Sequence, residues 1–403
     1  MFNNPFTPGA GHKPPKMAGR AAELAQFEKL LTQTVILENV ILTGLRGVGK
    51  TVLLDFFRPL AIRAKWRWAG TDMSESACLS EENLATRLIT DLSVISSEIV
   101  VSEQKIQVPG FTGPSYPTET RLNYTVLRNI YDSTPGLVSD KLKYVLELIW
   151  HYMKDSDHNQ GVIFAYDEAQ NLGDHSDKEQ FPFSVLLDVF QSIQKKGIPF
   201  MLVLTGLPTL TSKLVESRTF SERMFTVITI DRLSDEASRE AIEVPIQEAE
   251  CPVTFTGDSV NSIINHSAGY PYFIQFICRE AFDIFVQQAA SGLPPTSAPI
   301  DEILRKLDAD FFSGRWSRTT DRQRDLLRLA SQLDNADGEF TVQELVDRST
   351  QVSAKVFSRS HISQMLAKLM EEGLIFKNRY GKYSFAVPLL GRYIRRLDND
   401  FSL

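Results

Sequence analysis

The stretch Gly44-Leu45-Arg46-Gly47-Val48-Gly49-Lys50-Thr51 matches the spacing Gly-x-x-x-x-Gly-Lys-Ser/Thr in full. Its flanks fit the same reading. Asn39-Val-Ile-Leu-Thr43 is a short apolar run with the pattern of a buried strand, and Thr51 to Leu60 reads as a helix. A strand that turns through glycines into a helix aims consecutive N–H groups and the positive end of the helix dipole at one point, which suits phosphate. The lysine then reaches the β- and γ-phosphates, and the neighbouring hydroxyl ligates Mg2+. Gly44, Arg46, Gly47, Val48, Gly49, Lys50, Thr51 and Val52 are therefore the candidate phosphate-binding residues, with Thr51 also a metal ligand.

Further along, Gly161-Val-Ile-Phe-Ala-Tyr-Asp167-Glu168 is a second apolar run, and it ends in two acids. Asp167 at a strand end suits a carboxylate beside the metal, and Glu168 suits a general base that polarises a water toward the γ-phosphate. Other apolar runs at 66–70, 199–205 and 225–230 alternate with helical segments such as 21–34 and 142–153. That alternation predicts βαβ units, an α/β fold with a mainly parallel sheet sandwiched by helices. Residues 1–16 read as an extended arm, because Asn4-Pro5, Thr7-Pro8-Gly9 and Pro14-Pro15 disfavour regular structure. Within a core spanning 17–232, the turn-rich stretch 101–136 predicts a long loop or insertion. A helical lid follows over 233–300, opened by the capping signature at Ser234 and closed by the linker Ser291-Gly-Leu-Pro-Pro-Thr-Ser-Ala-Pro299. A separate domain occupies 301–403.

Composition bounds the class. At about 150 residues per domain, 403 residues suit two or three domains. With 43% hydrophobic and 23% charged residues the chain is neither disordered nor collagen-like. No uncharged apolar run approaches the roughly 18 residues of a membrane span, and Met1 to Gly19 lacks the apolar core of a secretory signal. Cys78, Cys251 and Cys278 lie far apart and in no metal-ligand spacing, so a reducing cytoplasm without membrane contact is the expected location. The net charge is -7, but Arg315 to Leu403 carries 15 basic against 11 acidic residues, a modest basic excess on an acidic body.

The phosphate motif and the acid pair resemble the AAA+ ATPases, particularly their origin-recognition-like branch and related archaeal and bacterial ATPases, over nearly the whole chain. By that resemblance Gly19-Arg20-Ala-Ala-Glu23-Leu24 corresponds to an adenine-side box, so the backbone of Met17, Ala18 and Gly19 is expected to line a base pocket. ATP is implied over guanine nucleotides, with Mg2+ as its partner. Leu202-Val-Leu-Thr205-Gly206 resembles a strand whose polar side chain touches the γ-phosphate or the attacking water, with Thr205 as the candidate. Ser217 to Phe225 resembles the segment that carries an arginine finger in oligomeric members, Arg223 first and Arg218 second. One motif departs from the pattern. Gly269-Tyr270-Pro271-Tyr272 puts Tyr272 where many lids carry a phosphate-sensing arginine, and looks more like the signalling NTPases related to AAA+. In those, the helix start at Pro271 packs over the nucleotide.

The last ninety residues read as three helices and a hairpin. The third helix, Ser360 to Met370, stops at Gly373, and residues 374–387 alternate on both arms around Gly381. This order resembles a winged helix, which implies a third helix in the major groove and a wing along the backbone of double-stranded DNA. Arg359 and Ser363 are the helix candidates, and Lys377, Arg379 and Lys382 the wing candidates. Two readings follow: a DNA-engaging ATPase, or a nucleotide-controlled signalling or defence switch whose winged helix serves an intramolecular, homo-oligomeric or protein-partner contact.

Overall fold

The computed structural model describes residues 3–9, 11–106, 116–154, 160–249, 253–293, 297–333, 338–352, 356–379 and 381–400. It divides into two compact units, one of Met1–Ala21, Gly44–Val52 and Ile230–Leu403, the other of Ala22–Thr43 and Leu53–Thr229. In chain order the elements up to residue 230 are α1 (Ala21–Leu30), β1 (Asn39–Thr43), α2 (Lys50–Arg63), β2 (Trp66–Ala69), α3 (Glu81–Ser96), β3 (Val100–Ile106) and β4 (Tyr116–Arg121). They continue with α4 (Tyr124–Ser133), α5 (Val138–Met153), β5 (Gly161–Tyr166), α6 (Pro182–Lys195), β6 (Phe200–Gly206), α7 (Thr209–Ser217) and β7 (Phe225–Thr229).

Five of these strands form a parallel sheet in the order β2-β5-β6-β1-β7. Successive side chains on a strand point to opposite faces. Ile41, Phe164, Tyr166, Leu202 and Leu204 share one core with α3 to α6, while Val40, Leu42, Ile163, Met201 and Val203, of opposite parity, are equally buried. A sheet covered on both faces explains why these strands read as unbroken apolar runs. Because all five run the same way, the C-terminal ends of β1, β5 and β6 lie along one edge. Trp66 of β2 donates its indole N–H to the Leu31 carbonyl, and Phe27 of α1 stacks on Phe57 of α2 at 4.0 Å.

The stretch 101–136 is not a loop throughout. β3 and β4 pair as an antiparallel hairpin, and Asn123 caps α4 by accepting from the Val126 amide. The turn-forming residues that suggested a loop, 107–115, lie outside the described residues. Turn residues dominate the pattern there and hide two strands of seven and six residues with mixed polar composition.

In the other unit, α8 (Asp235–Glu248), α9 (Gly257–Ser267) and α10 (Pro271–Ala290) form the lid. Then come α11 (Ile300–Leu307), a wide π turn at Asp308–Phe312, α12 (Ser313–Trp316), α13 (Asp321–Ser331), α14 (Val342–Val352), α15 (Arg359–Glu371), the antiparallel pair β8 (Ile375–Arg379) and β9 (Lys382–Phe385), and α16 (Leu390–Asp400). Ser234 caps α8, and Thr341 and Glu344 form a reciprocal cap at α14. The C-terminal helices share one hydrophobic core with the lid. Phe312 stacks between Phe273 of α10, at 5.9 Å, and Tyr393 of α16, at 5.0 Å. The Arg396 guanidinium forks onto Asp308 beside that stack.

Among its described residues the N-terminal arm has no helix or strand, yet it is anchored. Phe6 is 2% exposed and stacks on Phe255. The Asn4 amide donates to the Arg279 carbonyl and to Asp283, and the Thr7 amide donates to Gln275 of α10.

Candidate functional site

The loop after β1 depends on two left-handed glycines, Gly47 at φ 77° and Gly49 at φ 93°. A Cβ added at Gly49 would meet nothing within 4 Å, so the backbone angle and not crowding demands glycine there. The Lys50 ammonium donates to the carbonyls of Gly44, at 2.9 Å, and Leu45, at 2.8 Å. The lysine is thus held at the loop by the loop itself.

Arg20, a residue the sequence reading quoted without a role, is buried at 6% exposure. Its Nη2 donates to the Val48 carbonyl at 3.0 Å and to the Asp231 carbonyl at 2.6 Å, fastening the loop to the chain that enters the lid. A signal was present. A cation immediately before a helix sits at the wrong end of its dipole and needs another reason to be there. The expected base-side residues precede it. Ala18 is buried, Met17 is half-buried, and Gly19 takes a left-handed φ of 64° where a Cβ would lie 2.6 Å from that of Ala237. Pro271 takes the first position of α10, where its missing N–H costs no helical bond. The next amide, of Tyr272, donates to the Gly47 carbonyl at 3.2 Å, so the lid helix begins on the loop. Thr51 is exposed and Val52 half-buried in the first turn of α2.

The acid pair belongs to the sheet unit. Asp167, at 5% exposure, follows β5 and is held by backbone pairing: its carbonyl accepts from the Met73 amide at 2.8 Å. Its carboxylate accepts from the Glu168 amide, also at 2.8 Å. Glu168 is exposed and left-handed, at φ 52°, which turns its side chain out of the strand direction. Gln170 ties it in place. The Gln170 amide nitrogen donates to the Glu168 carboxylate, while its oxygen accepts from the Leu207 amide at 3.0 Å, directly after β6. Sequence reasoning passed over Gln170, because a glutamine two residues beyond an acid has no periodic signature.

Thr205 pairs with Leu42 in the register of β6 and β1, and Gly206 with Thr43. The Thr205 and Thr43 hydroxyls are both buried and have no hydrogen-bond partner among the described residues. Two orphaned hydroxyls at neighbouring strand ends, each costing about 1–3 kcal/mol, mark a polar terminus to an otherwise apolar sheet. Among the described residues no three His, Cys, Asp or Glu converge on one point. Asp167, a buried carboxylate, and Thr51, an exposed hydroxyl on the first turn of α2, are each of a type that Mg2+ accepts, since that ion takes few protein ligands and completes its shell with phosphates and water.

The two arginines before β7 differ. Arg218 grips Asp188 through two bonds, at 3.1 and 2.7 Å, and that carboxylate raises its pKa further. Arg223 is exposed and pairs with no acid among the described residues. In the C-terminal module Ser358 caps α15, and Arg359 is exposed with its guanidinium on Gln343. The Ser363 hydroxyl donates to the Arg359 carbonyl at 3.0 Å. Lys377 is exposed on β8 and Lys382 half-exposed on β9, whereas the Arg379 side chain lies outside the described residues. Glu372 accepts from Gln323 of α13 and so faces the module's own helices.

A five-stranded parallel sheet, a helical lid and a C-terminal module make up a fold shared with solved ATPase and origin-recognition structures. A Walker-type ATPase of Pyrococcus abyssi is similar at 16% identity, covering 95% of this chain and 97% of its own, with a TM-score of 0.59. The ADP form of the ORC2 protein of Aeropyrum pernix is similar at 14% identity, covering 97% of this chain and 96% of its own, with a TM-score of 0.54. A family model described as a domain of unknown function, DUF8462, matches residues 309–394. No curated protein matches the sequence. No helix among the described residues is long and apolar enough to cross a membrane.

Proposed function

We propose that the protein is a Mg2+-dependent ATPase whose C-terminal winged helix is its output to double-stranded DNA. The single observation that carries the nucleotide half is the loop itself: Gly47 and Gly49 in left-handed backbone, followed by Lys50 on the first turn of α2. The amides of Gly44 to Val52 cradle the phosphates, with Arg46 and Val48 at the loop's crest. Met17 to Gly19 and Pro271 bound the base and ribose side. Thr51 and Asp167 hold Mg2+, which when bound would neutralise charge on the β- and γ-phosphates. Glu168 accepts the proton of the attacking water, with Thr205 offering its free hydroxyl beside it. Arg223, exposed and with no acid partner among the described residues, is the candidate finger for a neighbouring copy in a homo-oligomer, whereas Arg218 is committed to Asp188.

DNA contact rests on exposed Arg359, Ser363 and Lys377 with Lys382 and Arg379, and on the basic excess of the C-terminal residues. A second reading, a switch whose module is an intramolecular or protein-partner contact, draws on one observation. A Cβ added at Gly373, in the turn after α15, would lie 3.5 Å from the Arg46 guanidinium of the loop. Titration of ATP and ADP into wild-type protein and Lys50→Ala tests the nucleotide half. Affinity should fall about a hundredfold in the variant, and equal affinities would remove the loop as the site. Duplex binding at low salt, with and without ATP, separates the readings: no binding in either state leaves the switch.

A further inference from the structure

The lid helix presents Tyr272 to the loop and no cation before Arg279, two turns along. Cations reach the loop from elsewhere in the same unit. The Tyr272 ring packs on Phe311 of the π turn at 5.1 Å. On the Phe311 ring lies the Arg315 guanidinium, 4.3 Å from the centroid, and its Nη1 donates to the Phe311 carbonyl. Loop, tyrosine, phenylalanine and arginine thus form one ladder that starts at the Tyr272 amide on Gly47. π turns are rare and occur frequently where a helix has been bent for a purpose; this one turns Phe311 toward Tyr272 while Phe312 fills the core.

What stands at the top of the ladder is an uncompensated cluster. Arg315 lies close enough to Arg46 of the loop and to Arg318 for both to push its pKa down, after burial, which is the larger cause. Among the described residues Arg46, Arg315 and Arg318 form no ion pair with any carboxylate. Several other arginines of this module have a carboxylate partner: Arg324 with Asp321, Arg328 with Asp398, and Arg396 with Asp308. Three guanidinium groups without a carboxylate partner stand at the edge of a phosphate loop, one of them half-buried and held by the Phe311 ring and carbonyl, which is a place suited to an anion.

We infer that Arg315, shelved on Phe311 and working with Arg46, binds the terminal phosphate of the nucleotide and makes the 309–318 connector the element that distinguishes a triphosphate from a diphosphate. This rests on the nucleotide reading above. A diphosphate on the loop leaves the arginine cluster repelling itself; a third phosphate gives it a counter-charge and holds the connector, and with it α13 to α16, against the loop. Arg315 is then a specificity-determining residue, and it belongs to the C-terminal module and not to the lid.

The test is calorimetric titration of wild type, Arg315→Ala and Arg315→Lys with Mg2+ and either ADP or a non-hydrolysable ATP analogue. A charge-assisted phosphate contact predicts that Arg315→Ala keeps its ADP affinity and loses about ten- to a hundredfold for the analogue, with Arg315→Lys recovering part of that loss. Arg46→Ala should lower the same ratio. An unchanged analogue-to-ADP ratio in Arg315→Ala overturns the inference. So does an equal loss for both nucleotides that Arg315→Lys does not repair, because a residue that reads only the third phosphate cannot weaken a ligand that lacks it. Wild-type protein that binds neither nucleotide would instead sink the ATPase reading itself.

Discussion

The phosphate loop and the α15–hairpin surface both present polar groups to a proposed anionic ligand, but they are built on opposite principles. In the loop the donors are backbone amides, so residue identity is dictated by geometry: Gly47 and Gly49 must adopt positive φ, and Arg20 must span two carbonyls from a buried position. On the α15 surface the donors are the ends of long side chains in solvent, Arg359, Lys377 and Lys382, and any of them could be exchanged for a neighbour at small cost. The first kind of site is written into the sequence as a motif. The second is written only as a charge balance. A single substitution should therefore break the first and merely weaken the second.

The largest effect is expected at the acid pair, which shares the loop's dependence on exact backbone placement. Glu168→Gln keeps the shape and the bond from Gln170 but cannot accept a proton. ATP hydrolysis should fall by about 10²- to 10⁴-fold while ATP affinity holds. Gln170→Ala asks whether placement matters as well as chemistry: released from Leu207, the Glu168 side chain gains rotamers, and kcat should drop by about tenfold with the base still present. Single-turnover kinetics on both variants measures this. Normal turnover in Glu168→Gln would remove it as the base, and normal turnover in Gln170→Ala alone would leave it as an accessory contact.

Arg20→Met comes next. Methionine fills the volume but leaves the Val48 carbonyl without this donor in a buried position, a cost of about 1–3 kcal/mol, and frees the partly exposed Asp231 carbonyl at smaller cost. Part of that cost appears as lower thermal stability and part as a looser loop, so nucleotide affinity should fall roughly tenfold although Arg20 is expected to touch no phosphate. A variant that melts lower yet binds nucleotide as wild type does would confine Arg20 to structural support of the lid entry.

The same contrast decides what was legible in the sequence. β1, β5 and β6 were readable because burial on both faces leaves apolar runs, and the loop because left-handed backbone admits glycine. The caps at Ser234 and Thr341 were readable because each is a local side-chain bond over three residues. Three things were not. β3 and β4 are polar and interrupted by turn residues, so tertiary pairing across a hairpin outweighed local pattern. The arm has no periodicity, and its order comes from Phe6 entering the lid core and from Asn4 and Thr7 bonding to α10 across 279 and 268 residues of sequence. Gln170 and the ladder from Tyr272 to Arg315 are likewise products of folding, since nothing in the order of residues announces that Phe311 lies under Arg315 and beside Tyr272.

The smallest effects belong to the hairpin, and they sharpen the contrast. If Lys377 and Lys382 meet DNA phosphates, replacing either by Ala should lower duplex affinity a few-fold at moderate salt, equally for every sequence tried. Each should also flatten the dependence of log affinity on log salt by about 0.9, because one fewer counterion is released per lost contact. The double variant should show both losses added, since the two side chains act through solvent and not through each other. Lys50→Ala, by contrast, should leave the salt slope untouched in the absence of nucleotide. A hairpin variant that changes nucleotide affinity but not the salt slope would move these lysines from DNA contact to the intramolecular reading, in which the hairpin side of the module closes on the loop beside Arg46.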